Sequence, residues 1–465
     1  MIVGTGLLSS FSLMGQTTPT PVTSLPEITL WSRLTMGQVV SSPVDMSTYD
    51  YAFEGEWLEN IDGGVRLIQR ATPSITGRLN VAFQVNASRV RQRDANSVEL
   101  TGKMFSAALL DASILFARHK LFGWDDSLIF EAGYFPFKYN QQSTNLGEYL
   151  FRSGTYPGVL VSGFEHSIDR PKIAGVHGAW KPVSFAKIDA IMNTELDIYP
   201  LHDIHATVIA SGAAPKIGSL SFGVQFAHLI SVDDKKLTPG TDKGYHPRVD
   251  QWVGYVDPNS AQINPVSGDT TYDTTLYTFR GTKLMARATL DIRGLIEHFT
   301  GALPFFGQED LKVYGEGAIL GVKNYPGWYN KRSERIPTMA GINLPTFKIL
   351  DVLSVEVEHY PSPYWNSQEF IWKSHSPVPY TGVNGSAGMN YRAWADSLGT
   401  TNDDIKWSIY ASKKFAKWFR LSGQVACDHT PRNWYTAGPP SFVKYTEMVP
   451  RTEDWYFMLR TSFYF

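Results

Sequence analysis

A single cysteine, Cys427, occurs in the whole chain, which excludes an intrachain disulfide and a metal cluster built on thiolates. It stands two residues after Val425 on the apolar side of a strand pattern, where it reads as a small hydrophobe. Charge is scarce as well, at 18% of residues against about 25% in soluble domains. The net charge of -2 provides no basic field for nucleic acid, and none is expected as a partner. No uninterrupted apolar run approaches the roughly 18 residues of a membrane helix, so any crossing of a bilayer has to use strands. The sequence also lacks a Gly-x-Ser-x-Gly elbow, a His-Glu-x-x-His pair, a Walker loop and a Cys-x-x-Cys motif, which removes the strongest support for hydrolase, zincin and nucleotide-binding functions. His202 and His205 lie three apart, a spacing that sends strand residues to opposite faces. No cofactor and no metal are expected.

What the chain does have is aromatic residues, 13% of the total, set in long two-residue alternations. The last stretch carries the pattern most clearly. Trp455, Phe457, Leu459, Thr461, Phe463 and Phe465 fall on one face of an extended strand, and Tyr456, Met458, Arg460, Ser462 and Tyr464 on the other. An exposed edge strand of this kind invites aggregation unless it is paired, and closing a barrel against the first strand removes the edge. Residues 28–40 alternate in the same way and supply that first strand. Residues 75–87 place Ile75, Leu79, Val81, Phe83 and Val85 opposite Thr76, Arg78, Asn80, Gln84 and Asn86, which is longer than ordinary soluble strands and suits a tilted membrane strand.

The same test predicts further strands near 62–71, 105–119, 126–138, 171–181, 185–196, 203–213, 218–230, 272–293, 310–322, 336–346, 351–360, 404–412 and 417–428. The fold class expected is therefore all-β, a closed antiparallel transmembrane barrel of about sixteen strands. Connections alternate short (72–73, 120–125, 181–184, 213–217, 347–350, 412–416) and mostly long (42–61, 89–104, 139–170, 231–271, 323–335, 361–403, 429–452), with only 196–202 brief on the long side, the pattern of short periplasmic turns and long extracellular loops. The exception on the short side, 293–309, begins with loosely helical apolar spacing from Gly294 to Phe299. Residues 1–15 are expected to be a signal peptide whose true start lies upstream, since the positive n-region is missing. Residues 16–27 form a flexible lead-in and 28–465 the barrel, as one domain.

The final segment resembles the C-terminal strand of Gram-negative outer-membrane proteins, which commonly ends in Phe after alternating aromatic or aliphatic residues. That resemblance makes Phe465, Phe463, Leu459 and Phe457 the assembly signal and the barrel-assembly machinery a partner. A second stretch, Glu131-Ala132-Gly133-Tyr134-Phe135-Pro136-Phe137-Lys138-Tyr139-Asn140 followed by Glu148-Tyr149-Leu150-Phe151-Arg152-Ser153, is similar to a strand and following loop of the phosphate-selective porins. Pro136 before Phe137 and Lys138 after it depart from the family's order, so only the architecture is carried over. The resemblance implies a porin-like barrel in the outer membrane of a Gram-negative bacterium, surrounded by lipid and lipopolysaccharide and assembled as a homotrimer. It also implies that residues 139–170 fold inward as a constriction.

The strand faces put Arg33, Arg66, Arg70, Arg78, Asp111, Glu131, Arg420 and Arg460 inside, with Lys187, Asp189, Lys283, Arg287, Glu316, Glu356, Glu358 and Lys406. Ionisable groups at membrane depth belong on a wet interior. The constriction loop adds Glu148, Arg152, Glu165 and Asp169. The function expected is passive diffusion of small hydrophilic solutes with a mild anion preference, from a basic arc across the barrel closure. Two alternatives stand beside it: a non-conducting barrel that anchors or docks a surface partner or polysaccharide, and an outer-membrane enzyme. Tyr325-Pro326-Gly327-Trp328-Tyr329 and Tyr360-Pro361-Ser362-Pro363-Tyr364-Trp365 could stack sugars or serve as girdle and loop packing.

Overall fold

The computed structural model describes residues 25–43, 45–46, 51–86, 89–92, 98–100, 105–120, 126–153, 160, 172–194, 203–231, 252–256, 258–265, 267–301, 303–325, 328–329, 331–363, 366, 405–435 and 443–465. Sixteen strands close into one antiparallel barrel. In chain order they are β1 Glu27–Ser41, β2 Tyr51–Arg70, β3 Ile75–Asn86, β4 Phe105–His119, β5 Ser127–Pro136, β6 Lys172–Val183, β7 Ala186–Thr194 and β8 Ile204–Ala214. The second half comprises β9 Gly218–Ala227, β10 Gly281–Asp291, β11 Lys312–Ile319, β12 Thr338–Asn343, β13 Val352–His359, β14 Ile405–Ala416, β15 Phe419–Cys427 and β16 Trp455–Tyr464. Each strand pairs with its sequence neighbour, and β1 pairs with both β2 and β16: Arg33 stands opposite Asp62 on one side and Ser462 on the other. Phe465 N–H donates to Leu30 O at 2.7 Å and Leu30 N–H to Phe465 O at 3.0 Å, so the closure is hydrogen-bonded to its end. Among the described residues no helix is long and apolar enough to cross a membrane.

The barrel inverts the usual arrangement of a globular core. Leu30, Met36, Ile61, Phe83, Ile114, Phe222, Leu284, Ile409 and Leu459 face outward and are exposed, while Thr35, Asp62, Glu131, Asp189, Gln225, Glu316, Ser408 and Arg460 face inward and are buried. Closing the sheet pairs the backbone groups of its strands with one another, and the apolar outer band presents hydrocarbon to hydrocarbon, which is what lipid requires. Inside, small residues make room for large ones. The Trp31 indole lies over Gly64, where any Cβ would collide with the ring, and its Nε1 donates to Asn80 Oδ1 at 3.1 Å.

Three boundaries differ from the sequence expectation. β2 begins at Tyr51 rather than near 62. Its upper half alternates Trp57 and Ile61 outward with Glu56, Leu58 and Asp62 inward, but Glu54, Gly55, Glu56 and Glu59 disguise a strand as a loop. The span 272–293 is two elements. Thr274–Thr278 pairs with Trp252–Val256 as a separate ribbon, and β10 starts at Gly281 after a bend at Phe279, where Arg280 Nη2 turns aside to Leu229 O. The last turn lies at 417–418 rather than 412–416; β14 continues through a bulge between Lys414 and Ala416, held by Lys414 N–H donating to Asp351 Oδ2 at 2.7 Å. The alternation of short and long connections holds, and the long exception on the short-turn end contains a helix, α2 Ile292–Thr300.

Candidate pore constriction

After β5 the chain turns into the barrel interior. Residues 137–153 cross to the wall formed by β10, β11 and β13 and end in a short helix, α1 Tyr149–Arg152. Gly147 (φ 83°) and Glu148 (φ 63°) both take left-handed backbone angles, which aims successive N–H groups at the wall. Two carboxylates receive them. Glu356 accepts from the N–H groups of Thr144 (2.6 Å), Asn145 (2.9 Å) and Leu146 (2.8 Å), from Thr144 Oγ1 (3.0 Å) and from Tyr314 OH (2.8 Å). Glu316 accepts from the N–H groups of Glu148 (3.1 Å) and Tyr149 (2.9 Å), from Asn140 Nδ2 (3.0 Å) and from Tyr139 OH (2.6 Å). Tyr314 reaches Glu356 by lying across Gly341, where a Cβ would strike its ring.

Carbonyls of the same segment are held by cations on β10. Lys283 Nζ donates to Ser153 O at 3.0 Å and Arg287 Nη1 to Tyr139 O at 3.3 Å. The wall is thus sorted by charge, with cations taking carbonyls and carboxylates taking N–H groups, and a charged acceptor makes such bonds about twice as strong as neutral ones. Between these ties Leu146, Tyr149 and Leu150 pack on Ile209, Met285, Ala318 and Met339, a dry patch in an otherwise polar interior. Burial, and then the Glu316 carboxylate beside it, push the Glu148 carboxyl up to about 7. Burial and the carboxylates they donate to also hold the Tyr139 and Tyr149 phenols well above their ordinary range. Both phenols therefore stay protonated as donors.

A second junction lies toward the long-loop end. His429 sits between Glu358, which its Nε2 meets at 2.6 Å, and Glu447, which its Nδ1 meets. Lys406 Nζ reaches Glu447 at 3.3 Å and Val449 O at 2.8 Å. Asn366 accepts from Leu160 N–H at 2.7 Å and donates to Glu447 at 2.9 Å. Three long connections therefore meet at one buried node. Burial opposes charging His429, but Glu447 and Glu358 outweigh it and raise the imidazole to about 9. The folded protein consequently holds a proton that the unfolded chain releases above about 6.5. This stabilisation is complete below that pH and is lost as pH rises through about 9. Limited proteolysis of the long loops should accelerate as pH rises from about 6.5 to about 9 in wild type and level off above that. The same rise in His429→Gln would remove His429 as its cause.

The arginines of the predicted basic arc, Arg70 excepted, are inside, and Arg33 and Arg78 are matched by acids. Arg33 Nη2 lies 3.7 Å from Asp62, and Arg78 contacts both Glu131 and Asp111, the latter at 3.6 Å. Arg460 is buried and donates to Thr35 Oγ1 at 2.9 Å, and Arg420 donates to Tyr410 OH at 2.8 Å. Arg66 points inward, half-buried, with no carboxylate at ion-pair distance among the described residues, and Arg70 stands exposed at the rim. Arg152 belongs to the inserted segment, its Nη1 on Gly147 O. Glu165 and Asp169 lie outside the described residues, as does His202. Phe457, Leu459, Phe463 and Phe465 occupy the outward face of the closing strand and its end, with Phe463 stacked on Phe419 at 5.2 Å. Tyr325, Trp328, Tyr329 and Tyr360 are buried, Tyr325 stacking on Tyr277 at 5.3 Å. These rings pack loops and leave no platform for a sugar; Tyr364 and Trp365 lie outside the described residues.

Sequence reasoning put Glu316 and Glu356 on the wall and missed that they hold the loop. The usable signal was register: Glu356 stands opposite Gly341 and Ser408, with no cation in either position, so its compensation had to come from another part of the chain.

No family model matches the sequence, and no curated protein matches it. Among solved structures, a mutant of the Rhodopseudomonas blastica porin aligns at 8% identity over 95% of this chain and 100% of its own, with a TM-score of 0.40. OmpF of Salmonella typhi, solved in complex with daunomycin, aligns at 8% identity over 95% and 97%, with a TM-score of 0.44.

Proposed function

We propose that this chain is an outer-membrane channel for passive diffusion of small hydrophilic solutes, narrowed by the segment that begins at residue 139. The observation that carries the proposal is the attachment of residues 139–153 to one wall through Glu316 and Glu356. A loop clamped to one side of a polar barrel narrows the lumen, while the facing wall, with Arg33, Arg66, Arg78 and Arg420 partly accessible, is left to line the path. The apolar band would sit in outer-membrane lipid and lipopolysaccharide, with the closing strand read by the barrel-assembly machinery. Both ring nitrogens of His429 meet carboxylates, which leaves neither free to act as a general base.

The mild anion preference rests on an imbalance. Glu316, Glu356 and Glu358 are covered by the donors of the inserted segment and of His429, whereas Arg66 keeps a charge facing water. In planar bilayers the purified protein should conduct, with a reversal potential in a salt gradient that favours anions and fades as salt screens the wall over about 10 Å at 0.1 M. Arg66→Glu should shift the reversal potential toward cations. A protein that inserts without conducting would overturn the channel and favour the docking barrel.

A further inference from the structure

The short-turn end carries a helix whose orientation is reversed for a water-soluble surface. α2 spans nine residues, starts on an Asp291 cap whose Oδ1 accepts from Gly294 N–H at 2.7 Å, and ends at Gly301 with φ 91°. Ile292, Leu295, Ile296 and Phe299 share one stripe by the i, i+3, i+4, i+7 spacing. The opposite side is the one seated on the barrel: Gly294 lies so close to the Lys216 backbone that no Cβ would fit. Arg293 and Glu297 pair at 3.2 Å on the flank. The Gly294 side thus packs on protein while Phe299 is left 77% exposed, with the exposed His298 ring beside it.

The apolar stripe has neighbours at the same level. Phe305 is 74% and Ile349 74% exposed, and Phe347 is exposed beside Phe306, their rings 5.4 Å apart. Above them the outer wall continues through Ile217, Leu220 and Leu290, all exposed and outward. Gly218 pairs with Leu290, and Asp291 N–H donates to Ile217 O at 2.7 Å, so the helix root is continuous with the lipid-facing band.

We infer that α2, with Phe305, Phe347 and Ile349, is an interfacial foot that lies in the lipid leaflet at the short-turn end of the barrel. Aromatic and aliphatic side chains at that depth gain by entering the acyl boundary, while the paired Arg293 and Glu297 stay at the headgroups. The foot rests on the membrane reading above. It would brace the barrel laterally at the strands that hold the inserted loop.

The test uses nitroxide labels in a Cys427→Ser background, with the full chain reconstituted into phosphatidylethanolamine–phosphatidylglycerol vesicles. Each variant is first checked for heat-modifiable barrel migration. Phe299→Cys is the probe, Leu290→Cys the lipid-facing reference and Ser267→Cys the water reference. The label at 299 should collide severalfold more with oxygen than with a water-soluble nickel chelate, as at 290, and the label at 267 should show the reverse. A label at 299 that behaves like 267, or one immobile and shielded from both reagents as under a protein partner, overturns the foot while 290 still reports lipid. If 290 itself reports water, the membrane reading has failed.

Discussion

Replacing Glu356 with alanine is expected to release residues 139–153 from the wall and raise single-channel conductance severalfold. The carboxylate collects three consecutive backbone N–H groups, Thr144 to Leu146, together with the Tyr314 hydroxyl. Each buried donor left without an acceptor costs about 1–3 kcal/mol, a loss concentrated at Thr144 to Leu146 that works against the ties remaining through Glu316, Lys283 and Arg287. Movement toward solvent is then the cheaper state, and the lumen widens. Glu356→Gln keeps the volume and one acceptor, so it should fall between wild type and alanine, with noisier open-channel current. Asp351→Asn, on a short turn, should leave conductance unchanged. If Glu356→Ala folds, inserts and conducts like wild type, the segment does not limit flow.

The second large effect concerns stability. Arg78 lies between Asp111 and Glu131, both buried, and its Nε also donates to Ser113 Oγ at 3.2 Å. Arg78→Met leaves two inward carboxylates near one another without their cation, and breaking such a group typically costs about 3–5 kcal/mol. Partial access of Arg78 to water places the loss toward the lower end. The temperature at which the barrel loses heat-modifiable migration should drop clearly. Combining Arg78→Met with Asp111→Asn and Glu131→Gln should recover most of it, because the deficit lies in uncompensated charge and not in lost packing. A triple variant no more stable than the single one would show that the guanidinium acts through its contacts alone.

The sixteen-strand barrel was legible because one mistake in facing direction would expose charge to lipid or apolar rings to water along a whole strand. Phe83 against Arg78 and Leu459 against Arg460 therefore fixed inside and outside from composition alone. The upper half of β2 was not legible, since Glu54, Gly55, Glu56 and Glu59 look the same in a loop as on a wet wall. The inward course expected of the segment after β5 came from its resemblance to a porin loop, and its anchoring could not be read at all. Whether Glu316 lines water or binds a backbone depends on contacts made across the lumen, and such contacts have no period in the sequence. Arg33 and Arg78 were placed in a basic arc without their partners for a related reason: Asp62, Asp111 and Glu131 sit on neighbouring strands, visible only once register is known.

The register at the closure also constrains the order of folding. Trp31 pairs with Tyr464 and Gln38 with Phe457, so β1 waits for β16 while all the intervening hairpins form from local pairs. Contacts of such long sequence separation are slow, because the entropy of joining distant ends is lost before any bond rewards it. Until then β1 and the latest strand are both open edges, each able to template another chain. The hairpins can nucleate early and independently, but the outer band becomes a sealed surface only in the final zipping step. A chain stalled before β16 would therefore be captured by protease or by a second copy long before it leaked solute.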